Sequence, residues 1–322
     1  MSKEIGSEFH RMPVEFGRGL TYPRQGSLVF SGRTAIESVL KKIPDARSVL
    51  IPSYCCDSMI VPFRDAGIEV KHYSVSWADG LKIELDGSAD ILLWCNYFGY
   101  RNEMPNFDGL VIEDITHSLL SEKQNHERSD FLVASLRKWE PVYCGGYCSV
   151  DVRGGLTPSV HFVNNKSSAM KMKAEYLQNF DENKKTKFLQ LFGECNEWLA
   201  GNYSGLSIDS WSKEYLQYVD VEKQRCVRRN NAHVLYEGLK NKVQFLFPEE
   251  DLDCPLFVPI LLKNRDDVRK HLTSNKVYCP VHWPKPDGAN SNVYDMELSL
   301  ICDQRYGAED MERIISVLLE VI

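Results

Sequence analysis

The chain has no run of about 20 apolar residues, so no membrane-spanning helix and no membrane partner are expected. Its start, Met1 to Arg11, lacks the apolar centre of a secretion signal, and a cytoplasmic setting is the expectation. No basic cluster offsets the net charge of −7, which speaks against nucleic acid as a partner. Ten cysteines are present without a Cys-x-x-Cys pair or a His-x-x-His companion. Cys55 and Cys56 are adjacent, and Cys144 with Cys148 has no matching second pair. Reduced, buried thiols are therefore expected rather than a zinc site or a disulfide framework. Neither Gly-x-Gly-x-x-Gly nor Gly-Lys-Ser/Thr occurs, which removes the commonest nucleotide-cradling turns. There is no internal repeat and no low-complexity segment.

What remains is a chain of 322 residues, 43% hydrophobic and 26% charged, long enough for one large core and a smaller domain. Short apolar runs at Ser48 to Pro52, Glu69 to Val75, Ile91 to Cys95, Leu110 to Ile112 and Phe131 to Ala134 read as strands. They alternate with helix-favouring stretches, the pattern of an α/β fold with a mainly parallel sheet. Ligands bind beyond the carboxyl ends of such strands, where Asn96, Asp114 and Ser135 fall. Ala35 to Leu40 has helical spacing, Asn164 to Asn202 is polar and helix-favouring, and Trp211 to Leu239 suggests a long helix broken once. A strand over Pro255 to Leu262, a helix from Arg265 to Thr273 and a closing helix follow. In the last, Met311, Ile314, Ile315, Leu318, Leu319 and Ile322 form one apolar stripe. Residues 1–210 are expected to form a large domain, and 211–322 a bridging helix with a small C-terminal α+β domain.

The chemistry concentrates in Glu113-Asp114-Ile115-Thr116-His117, Ser135-Leu136-Arg137-Lys138 and Gly145-Gly146. Together these segments supply a carboxylate, an imidazole, a hydroxyl and an amine, the groups that a pyridoxal phosphate site needs. Lys138 follows an apolar strand and stands beside Arg137 and Trp139, a setting that favours the neutral amine which attacks a carbonyl. Asp114 ends an apolar run and is suited to keep a pyridine nitrogen protonated. Glu113 points to the opposite side of the same strand and reads as structural. Ser31-Gly32-Arg33-Thr34 opens a helix. It is either a plain N-cap or a phosphate cradle. The Gly pair offers close backbone approach to a ligand. His282 and Trp283 either line a substrate mouth or anchor a domain interface.

These segments, in this order, resemble the pyridoxal-phosphate sugar aminotransferases of the DegT/DnrJ/EryC1/StrS type. Ser31-Gly32-Arg33-Thr34-Ala35 is similar to that family's phosphate turn, and Pro52-Ser53-Tyr54 to its Pro-Ser-Tyr segment. Glu113 to Ser118 is similar to its Glu-Asp-Ala-Ala-His/Gln run, and Ser135 with Lys138 to its Ser-to-Lys segment. His282-Trp283-Pro284, Leu298-Ser299-Leu300 and Asp303 to Tyr306 resemble its closing blocks. The resemblance implies a fold type I architecture, pyridoxal 5′-phosphate as cofactor and a homodimer. It further implies Lys138 as the lysine that binds the cofactor, Asp114 as partner of the ring nitrogen and His117 as a cofactor contact. Gly32, Arg33, Thr34 and Ser135 would lie near the phosphate, and Cys56 over the ring, where the family often has an aromatic residue or His. His282 and Trp283 are the expected substrate contacts. The gap from Ser135 to Lys138 is shorter than the family's.

The expected reaction moves an amino group from glutamate onto a keto group of a nucleotide-linked deoxysugar, for polysaccharide or glycoconjugate assembly. One alternative keeps the cofactor but dehydrates the sugar; the related dehydratases carry a histidine in place of the lysine. Another alternative is a cofactor-binding regulatory protein without turnover.

Overall fold

The computed structural model describes residues 3–14 and 16–322. Its main sheet has eight strands in the spatial order Ser27–Val29, Gly146–Cys148, Phe131–Ser135, Leu110–Asp114, Ile91–Cys95, Ser48–Pro52, Glu69–Trp77 and Leu81–Glu84. Ser48–Pro52 lies parallel to both Glu69–Trp77 and Ile91–Cys95, and Ile91–Cys95 is parallel to Leu110–Asp114. The strands at the ends of this order pair antiparallel. This is the mixed, mostly parallel α/β sheet expected. Every residue of Ile91–Cys95 is buried, as befits a strand covered on both faces.

Two expected strands run longer than their apolar cores. Leu110–Asp114 takes in the acidic pair, and Phe131–Ser135 takes in the serine, so Asp114 and Ser135 are the last residues of strands rather than the first of loops. The helix over 211–239 is broken as expected, into Ser210–Tyr215 and Val221–Leu239. The polar stretch before it forms two helices of 20 residues each, Val160–Asn179 and Glu182–Gly201. The closing helix Ala308–Leu319 buries Met311, Ile314 and Leu318 together with Val317, whereas Ile322 lies past its end and is exposed. All ten cysteines are free thiols, and only Cys226 is exposed. Among the described residues no helix is long and apolar enough to cross a membrane.

The chain divides into two compact units. One contains Met1–Ser7, Ala46–Asp130 and Glu222–Ile322; the other contains Glu8–Asp45 and Phe131–Val221. The first also carries a three-stranded antiparallel sheet of Gln244–Phe245, Val258–Leu261 and Glu297–Leu300. In the second, Tyr143, Ala169, Met170, Tyr176, Phe188 and Phe192 make a core cluster fed by the two long helices.

Candidate active site

In the unit of 46–130 and 222–322, strand alternation separates the two neighbouring carboxylates. Glu113 is buried and accepts from Asn96 Nδ2 at 2.6 Å, from His126 Nδ1 at 2.9 Å and from the Ser129 hydroxyl. Asn96 also accepts from the Trp94 indole at 3.2 Å, so the whole cluster is satisfied from within. This is a structural network, as the sequence suggests for Glu113.

Asp114 stands opposite Cys95 in the ladder and is buried at the strand end, with Oδ1 accepting the Thr116 N–H at 2.8 Å. Burial pushes the Cys95 thiol well above its ordinary range, and the Asp114 carboxylate adds to that effect. His117 is buried three residues on, and its Nδ1 accepts the Phe98 N–H at 3.3 Å. That bond assigns the neutral ring's proton to Nε2.

Aromatic rings close around His117. Trp283 stacks on it at 5.5 Å between centroids and 30° between planes, and Phe98 lies at 5.0 Å. The structure therefore brings His282 and Trp283 to His117, with the His282 ring at 5.9 Å. Tyr54 is fully buried and packs against Tyr97, Trp283 and Tyr294. Burial drives its phenol well above the usual range. Cys56 is half-buried at the N-cap of helix Asp57–Asp65, with Sγ 2.8 Å from Ser58 Oγ.

In the unit of 8–45 and 131–221, Ser31 caps helix Gly32–Leu40 by accepting the Thr34 N–H at 3.2 Å. The Thr34 hydroxyl is buried and donates to the Tyr203 carbonyl at 2.8 Å, so both hydroxyls are engaged in the helix start as a cap. The helix start still offers the Gly32 amide, and it abuts Ser135: a Cβ built on Gly32 would sit 3.3 Å from Ser135 Cβ. Ser135 leads into the single 3-10 turn Leu136–Lys138, which carries Lys138 into an exposed position. Arg33 is half-buried beside Gly32.

At Gly146 the close approach is made by the protein's own backbone. A Cβ on Gly146 would fall 2.2 Å from the Ser31 carbonyl oxygen, and Gly145 donates its N–H to the Phe30 carbonyl at 2.6 Å. The missing Cβ of Gly146 admits the protein's own helix-opening turn at Ser31 and Gly32, whereas a Cβ on Gly145 would meet Leu136 at 3.3 Å.

Sequence reasoning missed Glu8. Its carboxylate pairs with the buried Lys166 at 2.8 Å. Burial opposes ionisation of Glu8, but Lys166, with Arg137 and Lys138 beyond it, outweighs burial and lowers the carboxyl to about 2. Lys166 also lies 4.4 Å over the Phe192 ring. No local pattern links positions 8, 137 and 166.

No family model matches the sequence, and no curated protein matches it. Solved structures do share its fold. S. venezuelae DesV, in complex with a ketimine intermediate, has 13% identity and a TM-score of 0.63 over 92% of this chain and 84% of that one. A DegT DnrJ EryC1 StrS aminotransferase from Brucella abortus has 15% identity and a TM-score of 0.61 over 91% and 84%. Streptococcus pneumoniae Spr1654 in its PLP form has 11% identity and a TM-score of 0.65 over 94% and 89%, and it has also been solved in a PMP form. At these identities the likeness is one of fold.

Proposed function

We propose that the chain is a pyridoxal-phosphate-dependent aminotransferase that moves an amino group from glutamate onto a keto group of a nucleotide-linked sugar. The observation that carries this reading is a donor set of the right kind in each unit. One unit places the Gly32 amide against Ser135, three residues before Lys138. The other buries the Asp114 carboxylate at a strand end, with His117 and its aromatic surround three residues on. Each half fits the chemistry of the cofactor: N–H and hydroxyl donors for a phosphate, an amine for an aldehyde, and an acid for a pyridine nitrogen. The fold shared with the DesV and Brucella structures supports the same reading.

Pyridoxal phosphate, when bound, supplies an electron sink for a carbanion. The chain's own residues would do the rest. Gly32 and Ser135 hold the phosphate, and Arg33 adds positive charge beside them. Asp114 keeps the ring nitrogen protonated, and His117 and Cys56 contact the ring. The Lys138 amine anchors the cofactor and, once released, carries a proton between substrate carbon and cofactor as base and then acid. In this reading residues 1–210 form the cofactor-binding domain, residues 211–322 form the smaller domain, and the enzyme works as a cytoplasmic homodimer in polysaccharide or glycoconjugate assembly.

The exposure of Lys138 and the engaged Thr34 hydroxyl favour one second reading, a cofactor-binding regulator without turnover. Spectroscopy separates the two. Wild-type protein mixed with pyridoxal phosphate is expected to develop a visible band that Lys138→Ala lacks, and glutamate is expected to convert that band to the pyridoxamine form. A band insensitive to Lys138→Ala sinks both readings, and a band unmoved by glutamate leaves the regulator.

A further inference from the structure

The strand Glu297–Leu300 carries two polar side chains on one face, Glu297 and Ser299, and both are wholly buried. The segment before it is drawn onto that face. Ser299 N–H donates to the Pro280 carbonyl at 3.0 Å, and His282 N–H donates to Glu297 Oε2 at 2.7 Å. Ser299 Oγ donates to Glu297 Oε1 at 2.5 Å, and His282 Nδ1 lies 2.9 Å from the same Ser299 oxygen. Direct contact between Nδ1 and Glu297 Oε1 is longer, at 3.7 Å, so the hydroxyl stands between acid and imidazole.

The protons in this chain of groups follow from their number. An ionised carboxylate only accepts, so the one Ser299 proton faces Glu297. The Ser299 oxygen is then left to accept, and Nδ1 must be the donor. With Nδ1 donating, a neutral ring keeps its lone pair on Nε2, for which no hydrogen bond is found among the described residues. His117 is wired the other way, because its Nδ1 accepts the Phe98 N–H. Two imidazoles 5.9 Å apart are thus held in opposite tautomers beside the stacked Trp283.

A purely architectural role explains this poorly. The His282 N–H to Glu297 bond alone would pin the turn, and an apolar side chain would fill the Ser299 position without burying a polar group. The Phe98, Phe257 and Trp283 rings, at 5.2, 5.0 and 5.2 Å, further limit how His282 can reorient.

We infer that Glu297 and Ser299 are positioning residues that lock His282 with Nε2 as a hydrogen-bond acceptor for a hydroxyl of the sugar substrate. This rests on the nucleotide-sugar reading above. A site that presents such an acceptor favours hydroxylated ligands and disfavours analogues that lack the hydroxyl.

The test uses the full chain loaded with pyridoxal phosphate and has two arms. Long-range ¹H–¹⁵N correlation of the histidine side chains reads the tautomer directly. Wild type is expected to show His282 with the proton on Nδ1, and Ser299→Ala to show it moved to Nε2 or mixed, with Ser299→Thr restoring the wild-type pattern. Calorimetry then compares dTDP-glucose with dTDP as probes. Ser299→Ala is expected to weaken dTDP-glucose binding about tenfold while leaving dTDP unchanged, the loss of about one hydrogen bond, and Ser299→Thr is expected to recover it. A wild-type His282 protonated on Nε2, or equal losses for both probes, overturns the inference and leaves the aminotransferase reading intact. Wild type that binds neither probe overturns the nucleotide-sugar reading and this inference with it. Should Ser299→Ala fail to fold, Glu297→Gln and the wild-type tautomer carry the same decision.

Discussion

The two compact units hold their candidate residues by different means. In the unit of 46–130 and 222–322, Asp114, His117 and His282 are buried, and each has its polar atoms or its ring fixed by named neighbours. In the unit of 8–45 and 131–221, backbone approach fixes Gly32 against Ser135, while Lys138 projects from its short turn into an exposed place. A group that keeps a proton at one point works best when it is set in advance. The roles proposed for the Lys138 amine, anchoring a cofactor and later carrying a proton, need reach, which the flexible lysine stem supplies. The contrast also predicts different outcomes for two side chains: loss of function without loss of stability at exposed Lys138, and loss of stability at buried, fully bonded Glu113.

The largest expected effect is at Lys138. Lys138→Ala should lower turnover by about 10²–10⁴-fold, the usual range for a lost acid–base group. Its denaturation midpoint should stay within about 0.5 kcal/mol of wild type, because an exposed side chain leaves no cavity. A large drop in stability would mean that the lysine is structural. The two neighbouring carboxylates sharpen the comparison within one strand. Asp114→Asn keeps an oxygen for the Thr116 N–H, so about 10²-fold of activity should go with little change in stability. Glu113→Ala strands the donors of Asn96, His126 and Ser129 and should cost about 3 kcal/mol in urea unfolding. Equal stability losses at the two positions would refute the division of roles.

Gly146→Ala comes next. The added methyl meets the Ser31 carbonyl at 2.2 Å, backbone that cannot swing away. A loss of about 1–3 kcal/mol is expected, together with weaker cofactor binding as the Gly32 turn is pushed from Ser135. Stability lost with unchanged cofactor affinity would separate that turn from the site.

Much of this was legible in the sequence, for physical reasons that can be named. Ile91 to Cys95 reads as a buried strand because a sheet covered on both faces requires an unbroken apolar run. The division between Glu113 and Asp114 follows from the two-residue period of a strand. At Gly146 the sequence reveals that the position is small without revealing what presses on it. Here the neighbour is the carbonyl of Ser31, more than a hundred residues earlier. The burial of Tyr54 has no local sign either, since Tyr97, Trp283 and Tyr294 converge on it from separate parts of the chain. The polar face of Glu297 and Ser299 left a faint signal, since Glu-Leu-Ser-Leu alternates as a strand does. Nothing local, however, marks His282 as their partner.

The smallest expected effect concerns Glu8. Its folded-state carboxyl is lowered from 4.5 to about 2, so the ion pair's contribution is complete above pH 4.5 and is lost as the pH falls toward 2. Because the Glu8 side chain is 39% exposed, solvent screening cuts the stabilisation to about 1 kcal/mol. Wild type should therefore lose about that much stability between pH 6 and pH 2 through this pair, read as the shift in urea midpoint, and Glu8→Gln should remove that part of the slope. The variant also strips Lys166 of its counter-charge beside Arg137 and Lys138. If the pair tempers the field of those cations, cofactor affinity should change with the stability slope; a changed slope with unchanged affinity would make Glu8 a purely structural anchor. That outcome would place the fixing of Lys138 entirely in its own short turn, and would widen the difference between the two units.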